Sequence, residues 1–460
     1  MPARFHCARA FTGAALLFLG AVHPASQARG TADSPAPTDP AADRRADLEF
    51  ARSAYVDKSM AFTPAGRRAA LDFIAEAIPR VGTMSAAEYL LALARIAAFA
   101  DNAHDVFGGG DDSWWPDTRL PLRLVWFPDG LLIARAAPEQ ASLLGARITR
   151  VEDLAPDDLL ERLHAVCGGT AAFRRWNALW VLSNGELLHA LGYARSPDKL
   201  RLELELRDGR KQQLELAYVP ATGMPAGLRP TRLLSMVLSA EEAARDWRVP
   251  ATPGSMPLYL QQPDTLYRAQ RLPELEALYV QLRSNMDEQG QDFAAFLKST
   301  LAGARASPPR NLVLDLRFDV GGDISVSREF LRDLVRLVRG HIYVLVSRYT
   351  FSAGIVSAAA AKHDGGSRVT LVGEGVGDRL RFWSEGQHLG LPHSHYYLRP
   401  TSGMWDLEHG CKAQPDCYGD QFDATVGSLT PKLPAPLTAA AWLEGRDLAM
   451  EAIRKDLARR

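Results

Sequence analysis

Between Ala277 and Val372 short apolar runs alternate with stretches of helical periodicity, and no other feature of the chain constrains its fold as much. The runs Ala277 to Leu282, Asn311 to Leu316, Ile342 to Val346 and Val369 to Val372 are apolar almost throughout, as strands covered on both faces must be. Between them, Phe293 to Leu301, Val326 to Val338 and Ala353 to Ala361 keep helical spacing. Strand and helix in succession imply a largely parallel sheet flanked by helices.

This unit needs only part of the 460 residues, so further domains are expected. Upstream, Leu71, Ile74, Ala77 and Ile78 keep helical spacing until Pro79, and Ser85 with Glu88 forms a capping box for a second helix ending near Asp101 to His104. After Gly108 the character changes to short strand-like runs, including Leu122 to Phe127, Leu131 to Ala134, Arg147 to Val151 and Leu200 to Leu206. The expected division is a helical region at 47–114, a β-rich domain at 115–222, a Pro- and Gly-bearing linker at 223–255 and the α/β domain at 256–460. The whole reads as a multidomain α/β protein.

Arg4 and Arg9 precede an uncharged stretch from Ala10 to Val22, and small residues follow, so 1–28 reads as an export signal and 29–46 as a flexible tether. The protein is then expected in the periplasm or outside the cell, with no stable membrane span once the signal is removed: the apolar stretch is too short to cross a bilayer. In an oxidising compartment the close pair Cys411 and Cys417 is expected to form a disulfide. The 53 basic and 54 acidic residues are spread along the chain, which leaves no electrostatic footprint for nucleic acid.

Two segments of the α/β domain could carry chemistry. Asp315-Leu316-Arg317 ends one strand and leads into Asp319-Val320-Gly321-Gly322-Asp323, where glycines allow close backbone approach and free amides. One strand later, Tyr349-Thr350-Phe351-Ser352-Ala353-Gly354 opens a helix, and a serine there is by itself most often a cap.

Taken together, these segments resemble the tail-specific (C-terminal processing) proteases, peptidase family S41. In that family an Asp-Leu-Arg strand enters a Gly-Gly turn and the next strand reaches a nucleophile within Thr-x-Ser-Ala. The likeness extends through Leu371-Val372-Gly373-Glu374, Leu391-Pro392, Leu429-Thr430-Pro431 and Gly445-Arg446-Asp447, covering most of 275–455. Gly145 to Glu152 and Asp208-Gly209-Arg210 are similar to the family's PDZ-like module. The resemblance implies a PDZ-like middle domain and a crotonase-like C-terminal domain.

The family's lysine branch places its base shortly after the strand at 369–373, where this chain has Gly375-Val376-Gly377-Asp378. The resemblance is therefore to the tricorn-like and retinoid-binding-module-like branch without a catalytic lysine. Asp101-Asn102-Ala103-His104 stands where that branch carries a Gly-His-Thr type motif, which implies His104 as base and Ser352 as nucleophile. Ile355 and Val356 replace the glutamate that usually follows the nucleophile motif.

A serine hydroxyl needs a neighbouring base, and the imidazole in turn needs a carboxylate to fix its tautomer. By the resemblance that acid is Glu408, with Glu385 and Asp406 in reserve. Ala353 is the expected first oxyanion donor; the second is either in the Gly321-Gly322 turn or in the loop after Val280 to Leu282.

The implied activity is that of an exported serine-type endopeptidase acting on peptides or proteins without cofactor or metal. His393 and His395 share a strand face but lack a third ligand signature, so they read as surface or structural residues. Trp114-Trp115, Trp126-Phe127 and Trp176 to Trp180 either line a groove or fill the core. The rival reading is a non-catalytic protein binding peptides or hydrophobic ligands on the same scaffold.

Overall fold

The computed structural model describes residues 40–109, 117–225, 227–251, 256–411, 414, 416–418, 422 and 424–460. The segment 1–28 read as an export signal, Trp114 and Trp115 lie outside the described residues. Among the described residues no helix is long and apolar enough to cross a membrane.

The C-terminal sheet has the expected largely parallel form. Its six strands run in the order Leu433–Pro434, Val369–Gly373, Ile342–Val346, Asn311–Asp315, Ala277–Leu282, Tyr267–Leu272; only the last pair is antiparallel. The central strands are buried at every residue, which is why they read as continuous apolar runs. Helices Phe293–Ala306, Ile324–Leu337 and Ala353–Gly365 supply the crossovers, and helix Leu448–Leu457 contributes to the core on which Tyr279, Val313, Tyr343 and Leu345 lie.

The strands Leu122–Phe127, Gly130–Ala136, Arg147–Val151, Lys199–Glu205 and Lys211–Ala217 form one antiparallel sheet in chain order. It shares a core with the N-terminal helices Pro64–Ala77 and Ala86–Ala98, and that same core takes in Phe351 from the C-terminal domain. The segment before Ser352 is thus built at the junction of all three regions.

Two boundaries differ from the sequence reading. The tether expected at 29–46 gives way to a helix at Pro40, where proline suits a first turn and Asp43 complements its dipole. Asp47 on that helix is buried and accepts hydrogen bonds from Tyr89 and from the amides of His393 and Ser394.

The linker expected at 223–255 is folded against the middle sheet rather than free. Arg135, fully buried on a strand, pairs with Glu242 at 2.6 Å and donates to the carbonyls of Arg232, Leu233 and Ser235. A buried guanidinium must satisfy its donors, and this segment supplies the acceptors. Cys411 and Cys417 are joined as a disulfide, while Cys167 is a buried thiol.

Candidate active site

The segment leading to Ser352 is tied down before it reaches that residue. Past the strand Ile342–Val346, the Thr350 hydroxyl donates to the Leu316 carbonyl (2.8 Å) and accepts from the Ser347 amide (2.9 Å). The Phe351 amide then donates to the Asp319 carbonyl at 2.9 Å. Held on both sides, Ser352 takes φ +53° and ψ −126°, a backbone state that costs a non-glycine residue of order 1–3 kcal/mol. Its side chain makes no capping bond, so the ordinary reason for a serine at a helix start does not apply. A partly exposed hydroxyl is left at the mouth of the helix Ala353–Gly365.

Two glycines are dictated by how closely the loops approach. A Cβ on Gly321, where φ is +106°, would lie 2.6 Å from the Ser352 Cβ and 3.0 Å from the Ala353 amide. One on Gly354 would lie 2.3 Å from the Asp319 carbonyl oxygen.

Asp319 organises this contact, accepting the Gly321 amide (3.0 Å) and, on its two carboxylate oxygens, the Asn285 side-chain amide nitrogen (2.7 and 2.8 Å). Burial pushes its carboxyl up to about 7. The Gly321 amide is thereby spent, which removes it as an oxyanion donor and leaves this residue the role of making room. Among the described residues the Ala353 and Gly322 amides donate to no protein acceptor.

His104 is fixed through its neighbours. Asn102 exchanges hydrogen bonds with the Trp383 backbone (2.9 and 3.3 Å), and Asp105 accepts from Tyr55, Ser59, Asn102 and Thr401. The imidazole between them is 2% exposed and lies between two phenyl rings, Phe351 at 4.4 Å and Phe382 at 5.2 Å, both nearly parallel to it. Among the described residues neither ring nitrogen has a hydrogen-bond partner, so no such bond joins His104 to Ser352. Burial first, and the Arg399 charge second, hold its pKa well below the usual value, and the ring is neutral near pH 7.

The carboxylate facing this ring is Asp378. Its Oδ2 lies 3.7 Å from His104 Nδ1 and is otherwise unpaired, while Oδ1 accepts the Arg379 amide at 2.8 Å. Burial pushes its carboxyl up to about 7. The loop is held to the segment before Ser352 by the Gly377 amide, which donates to the Thr350 carbonyl (2.8 Å), and to the start of helix Ala171–Asn177 by the Thr170 hydroxyl, which donates to the Gly377 carbonyl (2.8 Å).

Glu408, expected to orient the imidazole, is placed elsewhere. It is exposed on a turn, with His409 at 3.9 Å from its carboxylate, and its amide donates to Asp406. Asp406 is occupied as the acceptor for that turn, and Glu385 accepts the Ser384 hydroxyl. The physical reason is local: the sequence 406–410 closes a tight turn on the Asp406 carboxylate, which points Glu408 outward. Asp378 lies in the very stretch whose lack of a lysine the sequence had shown, and that substitution was the signal for it. His393 pairs with Asp43 at 3.1 Å.

Helix Ala171–Asn177 of the middle domain closes over this arrangement, with Phe173 stacked on Phe351 at 5.2 Å and Trp176 edge-on to it at 6.2 Å.

No family model matches the chain, and no curated protein matches it. Solved structures do. Mature CPAF complexed with lactacystin is 13% identical with a TM-score of 0.56, the alignment covering 91% of this chain and 97% of that one. A CPAF mutant gives 13% identity and a TM-score of 0.59 over the same shares. Mature CPAF alone gives 14% and 0.55, over 91% and 96%. Identity this low speaks for architecture and not for chemistry, and over 91% of its length the chain has the fold of mature CPAF.

Proposed function

We propose that this protein is a serine-type endopeptidase of the tail-specific kind, exported, with a PDZ-like middle domain and a crotonase-like C-terminal domain. Ser352 is the nucleophile, His104 the base and Asp378 the carboxylate behind it. The observation that carries this reading is Ser352 itself, a residue held at φ +53° on a sharp strand-to-helix turn with its hydroxyl uncommitted. Such strain persists only where the surroundings enforce it, and a strained, uncapped serine has a use beyond ending a helix.

In this reading the Ser352 Oγ attacks the scissile carbonyl carbon and its proton passes to His104 Nε2. Asp378 accepts from Nδ1–H and stabilises the imidazolium. The Ala353 and Gly322 amides receive the negative charge on the substrate oxygen. The C–N bond then breaks as the imidazolium returns the proton to the leaving amine, and water, deprotonated by the same ring, hydrolyses the acyl ester. No lysine enters the scheme.

The rival, a protein that binds peptides or hydrophobic ligands without cleaving them, draws on one observation: the His104 ring is stacked on Phe351 and not bonded to the Ser352 hydroxyl.

Incubating the mature protein with a fluorophosphonate probe and mapping the adduct by mass spectrometry separates the two. A stoichiometric adduct on Ser352 is expected. A folded protein that stays unlabelled at probe concentrations sufficient for other serine hydrolases would favour the binding reading.

The labelling rate should also report Asp378. Below about 7 this carboxyl holds its proton and offers no charge to the imidazolium, and above it the group is ionised. The rate is therefore expected to rise with pH through about 7, and Asp378→Asn should lose that limb. A limb that survives in the variant would remove Asp378 from the scheme.

A further inference from the structure

Several buried polar atoms around Ser352 have no partner, and not all of them belong to the residues assigned above. His104 Nδ1 and Nε2 and Asp378 Oδ2 are accounted for by the proposed reaction. Trp176 Nε1 is not. This indole nitrogen is buried without an acceptor, although the rest of the side chain is partly exposed. Trp126 has an unpaired indole nitrogen too, but at 1% exposure it is sealed in the core shared by the middle sheet and the N-terminal helices.

The Trp176 ring is held on three sides. Phe173 meets it edge-on at 5.3 Å, Phe351 edge-on at 6.2 Å, and Tyr349 lies tilted at 6.2 Å. Its helix is anchored through Thr170 to Gly377, the residue before Asp378. The indole ring that carries this donor is thus packed against Tyr349 and Phe351, shortly before Ser352. An unmade bond of this kind costs a buried donor about 1–3 kcal/mol, and an arriving acceptor recovers it. An extended peptide laid across Ser352 brings such acceptors, its backbone carbonyls.

We propose that Trp176 is a substrate-binding residue whose indole N–H donates to one backbone carbonyl of the bound peptide close to the scissile bond. The inference rests on the peptidase reading and adds to it a contact from the middle domain that only peptidyl ligands can use. Trp176 takes no part in the bond-making steps.

The test compares two probes on the intact mature protein, a small alkyl fluorophosphonate and a peptidyl phosphonate. In Trp176→Phe, which keeps an aromatic ring and removes the N–H, the ratio of peptidyl to small-probe labelling rate should fall about tenfold. A ratio equal to that of the wild type overturns the proposal. A second measurement needs no variant: peptidyl phosphonates in which one backbone carbonyl at a time is replaced by a methylene are applied to the wild type. One position should lose about tenfold, and the Trp176→Phe protein should be indifferent to that same replacement. If no single position matters beyond its neighbours, Trp176 has no such role. Should neither probe label the wild type, the peptidase reading itself fails and this inference falls with it, an outcome distinct from a wild type that labels while the ratio stays fixed.

Discussion

Ser352→Ala is expected to lower peptide hydrolysis by about 10⁴- to 10⁶-fold with little change in thermal stability. The alanine keeps the packing of the Ser352 Cβ against Gly321 and removes only an oxygen that supports no hydrogen bond in the fold. His104→Ala should cost a similar factor, because a serine without its base is barely nucleophilic. The double variant should then be no worse than either single one, since residues that act as a unit lose their contribution together. Hydrolysis of a quenched fluorescent peptide by the four proteins measures this. Roughly multiplicative losses in the double variant would mean that Ser352 and His104 act independently, and the assignment of His104 as base would be withdrawn.

Arg317→Ala is expected to destabilise the C-terminal domain by about 3–5 kcal/mol, the cost of leaving buried charges uncompensated. Arg317 bonds Asp315 (2.6 and 3.0 Å) and Asp447 (2.9 and 3.0 Å), with its guanidinium 4.2 Å above the Tyr259 ring. Asp315 is fully buried; burial pushes its carboxyl up, but the Arg317 charge and hydrogen bonds outweigh this and hold it below its ordinary value. A carboxylate lowered in the folded state adds stability above its unfolded pKa and loses it as the pH falls through the folded one. In the variant that acid-side loss should vanish and the urea midpoint at neutral pH should drop at unchanged slope. Arg317→Lys should recover only part, since a lysine cannot bridge two carboxylates with a planar fork. An unfolding free energy within about 0.5 kcal/mol of the wild type would show that this triad contributes little to the stability of the fold.

What the sequence made legible follows from burial. Strands such as Ile342–Val346 are covered on both faces and announce themselves as unbroken apolar runs; that strand's bounds match the sequence reading, while Asn311–Asp315 and Val369–Gly373 differ from it by one residue. The helix start at Ser85 was equally plain, because the capping box is a local pattern and the structure makes both of its bonds. Arg135 shows the opposite case. A charged residue within a strand says nothing locally about carbonyls at 232–235, so a folded segment was read as a linker.

The site divides in the same way. Ser352 was legible as a motif, but its positive φ was not, because that angle is imposed by contacts with Asp319 and Gly321 on another loop. For Asp378 the missing lysine was a local signal, but its pairing with His104 was not legible, because that partner stands on a turn following an N-terminal helix and no periodicity connects the two. Glu408 was inferred by analogy, and the turn closed by Asp406 carries it away.

The far separation of His104 and Ser352 along the chain also has a consequence for biosynthesis. A chain emerging from the ribosome presents the imidazole early and the hydroxyl late, and the loop of Asp378 later still. The outermost parallel strand of the sheet that shapes the Ser352 turn, Leu433–Pro434, follows all three in the sequence. On the proposed chemistry a nascent chain that has not yet reached Leu433–Pro434 lacks the outermost parallel strand of the sheet behind Ser352, so a hydrolase able to damage its own cell stays inert until that strand has been made and docked.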